Sequence, residues 1–296
     1  MLTFQSLELS LFDKIKHISA FDCSGICDRT CAGIFMWRDF FKTEVAFNGE
    51  SAIFRANYFG NENSYTFPIG KPQDTDAILN DIPSLPDAEN EISFCALTES
   101  MLDTLKSRFT LLSDVQNPAW SDYIYNKDDL CTLVGKKYAG QRNHINKFKQ
   151  LYPDFVFERI SNNNLEQAKS FFIDVENRFD LSDKEIIEEE QKVLEVLCNY
   201  ELYSLCGAIL KAGGKVIGIS LGEILGDTLF VHTEKALKDV PGAYQMLVNC
   251  FAREFCDDSV RFINREEDDG IEGLRTSKLS YHPCRLIEKH FATFRI

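Results

Sequence analysis

YSLCGAILKAGGKVIGISLGEILGDTLFVHTE, residues 203–234, decides the fold class. Three apolar runs, 203–210, 215–225 and 228–234, are separated by Gly213-Gly214 and Gly226-Asp227. Such dipeptides tolerate the positive φ angles of tight hairpin turns, so the stretch predicts an antiparallel meander of three strands. His232 and Glu234 fall two residues apart on the third run, so they share one face of the sheet. Together with Glu223 they are polar groups in apolar surroundings. They read either as satisfied packing residues or as a pair tuned for acid–base work, with His232 as a catalytic candidate.

Working outward, the meander is preceded by an alternating run, 155–160, and two helical patterns. The first carries Leu165, Ala168, Phe172, Val175 and Phe179 behind the Asn-rich cap 162–164, and the second covers 183–200. After the meander come a loop, a helix over 242–255, a strand at 260–264, a helix near 271–279 and a last strand near 284–294. This order of elements resembles that of the GNAT acyltransferases. The first half is a looser mixed α/β series. Helical patterns at 9–18 and 33–41 precede strands at 43–47, 52–58 and 65–69, a turn at Gly60, Asn61 and Asn63, and a helix at 75–82. A strand at 92–96, a helix at 99–108 and a strand at 123–125 follow. Leu130, Val134, Tyr138, Ile145, Phe148 and Tyr152 then predict one long helix over 128–152, stopped by Pro153. The expected fold is α/β with mixed sheets in two tandem GNAT-like domains, 1–152 and 153–296.

The chain has 296 residues, 44% hydrophobic and 26% charged, which suits a globular protein with a real core; its 24 Phe suggest aromatic packing. A net charge of -14 opposes nonspecific binding to DNA or an anionic membrane. No run is long and apolar enough for a membrane span and MLTFQSLELS is not a cationic signal, so a cytoplasmic location is expected. Ten scattered Cys read as free thiols. Cys23, Cys27 and Cys31 are spaced to line one helix face, but a fourth metal ligand is not evident, and no metal is expected.

Three stretches carry a family resemblance: IFMWRDFF at 34–41, YIYNKDDLCTLVGKKYAGQRNHINKF at 123–148 and INREEDDGIEGLRTSKLSYHP at 263–283. They resemble relatives of the C-terminal domain of phosphatidylglycerol lysyltransferase. That resemblance implies a tandem GNAT-like fold and transfer of an acyl or aminoacyl group, with acyl-CoA or aminoacyl-tRNA as donor and no tightly bound cofactor. The membrane portion of the full lysyltransferase has no counterpart here, which puts a lipid acceptor in doubt.

Four groups of side chains are candidates for the chemistry. In LKDVPGAYQ, 237–245, Lys238, Gly242 and Ala243 stand where GNAT enzymes cradle the donor's pyrophosphate, using the unpaired amides of a helix start. The pattern is partial, since Gly242 and Ala243 are adjacent rather than spaced; the alternative is a Pro-Gly helix start. The run Glu266–Asp269 reads either as an exposed acidic loop or as a site steering an amine, with Glu267 or Asp268 as general base. Arg275 and Lys278, one helical turn apart, would hold an anionic donor group or pair back onto that run. Tyr281 is the candidate general acid. Lys137, Arg142, Asn146 and Lys149, with Lys147 among them, form a basic stretch in an acidic chain. It reads as a polyanion groove or as a solvated helix face. The rival class of function is a noncatalytic module whose GNAT-like cleft has lost its donor loop.

Overall fold

The computed structural model describes residues 2–58, 61–85, 91–176 and 184–296, with the backbone alone for 62, 176 and 184–190. In chain order the first elements are β1 (Gln5–Ser6), α1 (Phe12–Ser19), α2 (Cys31–Met36), β2 (Glu44–Asn48), β3 (Ser51–Tyr58) and β4 (Asn61–Thr66). Next are β5 (Ile69–Gly70), α3 (Pro72–Asp81), β6 (Glu91–Leu97), α4 (Glu99–Lys106), β7 (Thr110–Gln116) and β8 (Asp122–Asn126). Then follow α5 (Lys127–Thr132), α6 (Ala139–Leu151), β9 (Val156–Arg159), α7 (Leu165–Glu176), α8 (Lys184–Cys198) and α9 (Tyr200–Tyr203). The meander is β10 (Cys206–Ala212), β11 (Lys215–Leu225) and β12 (Thr228–Ala236). The chain closes with α10 (Ala243–Phe255), β13 (Phe262–Asn264), α11 (Glu272–Leu279), β14 (Arg285–Ile287) and β15 (His290–Arg295).

Two compact units result, each on its own mixed sheet. One comprises Met1–Asp122, Glu267–Arg275 and Leu286–Ile296; the other comprises Tyr123–Glu266 and Thr276–Arg285. The first sheet runs β1-β2-β3-β4-β6-β15-β7, with β5 also on β3, and is antiparallel except where β4 meets β6. Its core gathers Tyr65, Phe94, Leu102 and Phe294, and the rings of Phe94 and Phe294 meet edge to face at 6.0 Å. The second sheet runs β14-β8-β13-β12-β11-β10-β9, with β12 and β13 parallel. Tyr125, Tyr138, Phe148, Leu247 and Phe251 pack its core. Among the described residues no helix is long and apolar enough to cross a membrane.

The meander forms as read, with β10–β11 and β11–β12 antiparallel and Gly213, Gly214 and Gly226 at φ +56°, +75° and +60°. Three expectations need correction. The units do not divide at Tyr152–Pro153. β8 pairs with β13 in the second sheet, and α6 buries Ile145 and Phe148 in the core that β10 and α10 build. The last strand instead pairs with β6 and β7 in the first sheet. The long helix over 128–152 is two helices: Leu133 turns left-handed at φ +51° and Gly135 sits at +102°, which ends α5 before α6 begins. The strand expected over 284–294 is two, β14 and β15, and β7 went unforeseen because all seven of its residues are exposed and its apolar pattern is weak. Phe179 and the start of the helix expected at 183 lie outside the described residues, as does Gly60.

Candidate functional site: an opening in the second sheet and a buried lysine in the first unit

β12 and β13 are parallel partners over Thr228–Phe230 and Phe262–Asn264 only. β12 runs on to Ala236, still paired to β11, while the chain after Asn264 turns away. The turn is made by Asn264 Oδ1, which accepts the Glu266 N–H at 2.7 Å, and by Glu266 itself at φ +58°. A left-handed non-glycine residue costs about 1–2 kcal/mol, so the surroundings must hold it.

They do so with ions. His232, with 2% of its side chain exposed, places Nδ1 2.7 Å from Glu266 Oε1 and Nε2 3.1 Å from Glu223 Oε1. A carboxylate at each ring nitrogen requires two N–H donors, so the ring is an imidazolium. Burial pulls its pKa down, but the bonds to Glu223 and Glu266 outweigh that and raise it to about 10. His232 is thus a fixed cation near neutral pH. Beside it, Arg265 donates from Nε and Nη2 to Glu234 Oε2 at 3.0 and 2.6 Å. The guanidinium carbon lies 4.9 Å from the ring centre of Tyr281 and 5.8 Å from that of Tyr125. The Tyr281 hydroxyl and Arg265 Nη1 are buried without a hydrogen-bond partner among the described residues. Burial pushes the Tyr281 phenol above its ordinary range, so it keeps its proton.

The consecutive carboxylates have separate partners. Glu267 Oε2 accepts from the Cys27 thiol at 3.0 Å and lies 3.2 Å from Lys289 Nζ. Asp268, its side chain fully buried, pairs with Arg275 at 2.8 Å and accepts the Gly270 N–H. Asp269 is exposed. Glu267 and Asp268 thus each have partners within the first unit. Lys278 is buried, donates to the Arg265 carbonyl at 2.5 Å and lies 5.7 Å from the centre of the Tyr123 ring.

Sequence reasoning missed the constellation around Lys289. Its ammonium lies 2.5 Å from Asp28 Oδ2, 2.7 Å from Asp122 Oδ1 and 3.4 Å from Cys27 Sγ, with 4% of the side chain exposed. Cys27, Asp122 and Glu267 present ligand atoms within 4.8 Å of one another, a spacing that suits a metal ion, and the lysine's charge stands among them. Burial pushes the Asp122 carboxyl up to about 7 against the pull of Lys289. The lysine is itself held well above its usual value: its carboxylate neighbours overcome its desolvation. Cys23, Cys27 and Cys31 share no helix face, because Cys27 starts a 3₁₀ turn and α2 begins only at Cys31.

The start of α10 is a close-packed helix cap. Gly242 has φ +83°, and a Cβ there would come within 2.3 Å of the His144 carbonyl oxygen, so only glycine fits. Ala243 is buried and Lys238 exposed. Along the basic stretch, Arg142 is turned inward to donate to the carbonyls of Leu133 and, at 2.7 Å, Gly135, closing the break before α6. Lys137 pairs with Asp129 at 3.5 Å, whereas Asn146, Lys147 and Lys149 are exposed.

The family described as phosphatidylglycerol lysyltransferase, C-terminal, matches residues 24–293. A crystal structure of a conserved protein of unknown function from Bacteroides thetaiotaomicron is similar at 30% identity and TM-score 0.89, covering 99% of this chain and 100% of that one. The C-terminal domain of a putative lysylphosphatidylglycerol synthetase from Agrobacterium fabrum superposes at TM-score 0.66 with 14% identity, over 97% of this chain and 92% of that one. L-PGS from Bacillus licheniformis does so at 0.60 and 14%, over 84% and 83%.

Proposed function

Because this chain belongs to the phosphatidylglycerol lysyltransferase C-terminal family, we propose that it moves an acyl or aminoacyl group from a thioester or aminoacyl-tRNA donor to an amine or hydroxyl acceptor. The observation that carries the reading is the separation of β12 from β13 after Phe230 and Asn264, because GNAT-type folds receive the donor where these parallel strands part. Backbone N–H groups along the free side of β12 would polarise the donor carbonyl. The acceptor's heteroatom bonds to that carbon, the bond to the leaving sulfur or oxygen breaks, and the acceptor's proton ends on the leaving group. Glu266 would take the proton, His232 would hold Glu266 in place, the protonated Tyr281 would give one to the leaving atom, and solvent would carry the proton from Glu266 back to Tyr281. Gly242, Ala243 and Lys238 would lie toward the donor's anionic part, with Lys278 fixing the Arg265 turn.

The second reading, a noncatalytic ligand-binding module, is favoured by one observation: the pairs His232–Glu266 and Arg265–Glu234 span the opening. A donor screen separates the two. A ligand at 100 times its dissociation constant stabilises by about 2.7 kcal/mol, which a melting curve registers. An acyl-CoA or aminoacyl-tRNA that raises Tm and loses its acyl group to an added amine supports transfer, with Glu266→Gln abolishing turnover while binding persists. A Tm rise without turnover for any donor supports the module, and no response to either donor class sinks the transferase reading.

A further inference from the structure

We infer that Cys131 and Cys256 are a peroxide-oxidisable pair that closes into a reversible disulfide. Cys131 lies in the last turn of α5, and Cys256 is the residue that ends α10, its N–H bonded to Ala252 O. Two tethers hold these ends together. The Asn249 side chain on α10 donates to the carbonyls of Leu130 and Cys131 at 2.8 and 2.9 Å. Lys127, one turn before Cys131 and on the same face of α5, donates to the carbonyl of Asp257, the neighbour of Cys256, at 2.7 Å. The two thiols interact between the tethers, and both side chains are half-exposed.

The charges around the pair sort the roles. The neighbouring Cys256 thiol lowers the Cys131 pKa against its burial; Lys127 and Arg253 help and Asp128 opposes. Cys256 and the nearby Cys206 are both raised, so they remain thiols. Cys131 is then the nucleophile and Cys256 the resolving thiol. The Cys131 thiolate attacks peroxide, forming an S–O bond as the O–O bond breaks and hydroxide leaves. Cys256 sulfur attacks the resulting sulfenic acid, the S–S bond forms, and its proton leaves with the hydroxyl as water. Two thiols and one hydrogen peroxide become one disulfide and two waters. Nothing in the proposed transfer reaction uses either thiol.

The full chain treated with one equivalent of hydrogen peroxide under native conditions tests this by intact mass and non-reduced peptide mapping. The expected result is a loss of two hydrogen masses, a Cys131–Cys256 cross-linked peptide and full reversal by dithiothreitol. Cys256→Ser should instead accumulate a sulfenic acid at Cys131 that dimedone traps, and Cys131→Ser should give neither product. The oxidised chain should also melt at a higher temperature than the reduced one, since the link closes a long loop. A disulfide from Cys256 to Cys206, oxidation confined to the exposed Cys23, Cys198 or Cys284, or no mass change would each overturn the inference.

Discussion

Two buried cations, one in each unit, answer the same problem differently. His232 sits between two carboxylates whose side chains are 15% and 23% exposed, so water shares the charge of Glu223 and Glu266. Lys289 faces three, and the Asp122 carboxylate is fully buried. A histidine bonded at both nitrogens acquires its charge from its partners, whereas the lysine brings a charge that burial would otherwise remove. The first arrangement is therefore sensitive to pH and the second to deletion.

Deleting the lysine should have the largest effect. Lys289→Met leaves Asp28, Asp122 and Glu267 together without a cation, and removing one partner of a buried ionic group costs about 3–5 kcal/mol. At roughly 2–4 °C per kcal/mol, Tm should fall by about 10 °C. Adding Asp122→Asn should restore part of that, because one stranded carboxylate is gone. A fall of only a degree or two would mean that the carboxylates escape to solvent and that the constellation is not a fixed core.

His232→Gln should cost less at pH 7, about 2–4 kcal/mol, and its effect should vanish with alkali. The folded pKa is raised from 6.5 to about 10. The folded state therefore holds a proton that the unfolded chain gives up above pH 6.5. The resulting stability is fully present below that value and is lost as pH rises through 10. Urea unfolding of both proteins from pH 6.5 to 10 should show the difference shrinking throughout. A constant difference would mean that packing, not the shared proton, is what His232 supplies.

Arg275→Ala should matter less than either. Its side chain is 42% exposed, and its partner Asp268 keeps the Gly270 N–H when the guanidinium goes. A loss of about 1–2 kcal/mol is expected. An equal loss from Asp268→Asn would show that the pair, not the turn at Gly270, carries the energy.

This contrast also explains what the sequence disclosed. The meander was legible because alternation and Gly-Gly and Gly-Asp turns are local signals, and His232, Glu223 and Glu234 stood out as polar residues on apolar strands. Lys289 gave no such signal: in LIEKHFATF it reads as an ordinary strand lysine, and its partners lie 22 to 262 residues away. The run at 266–269 was conspicuous, yet its side chains diverge because Glu266 and Asp269 are left-handed, at φ +58° and +49°. No periodicity foretells that. The domain boundary was misread for a related reason, since exchange of β8 and β15 between the sheets is a long-range pairing.

The smallest expected effect on stability comes from the basic stretch, where the contrast between buried and exposed cations is sharpest. Arg142 is half-buried and tied down: its guanidinium closes the break at Leu133–Gly135, so replacing it should unsettle the start of α6. Lys147 and Lys149 are exposed, and exposed substitutions of this sort usually change stability by no more than about 0.5 kcal/mol each. The double variant Lys147→Ala, Lys149→Ala should therefore melt like the parent. If this face tracks the phosphates of a tRNA-linked donor, each lost contact should flatten the dependence of log affinity on log salt by about 0.7–0.9. Binding of aminoacyl-tRNA measured across salt concentrations would then show a slope shallower by about 1.5, with Asn146→Ala weakening affinity at every salt and leaving the slope unchanged. An unaltered slope in the double variant would make this a solvated helix face in an acidic protein, and the polyanion reading would fail without any change to the fold.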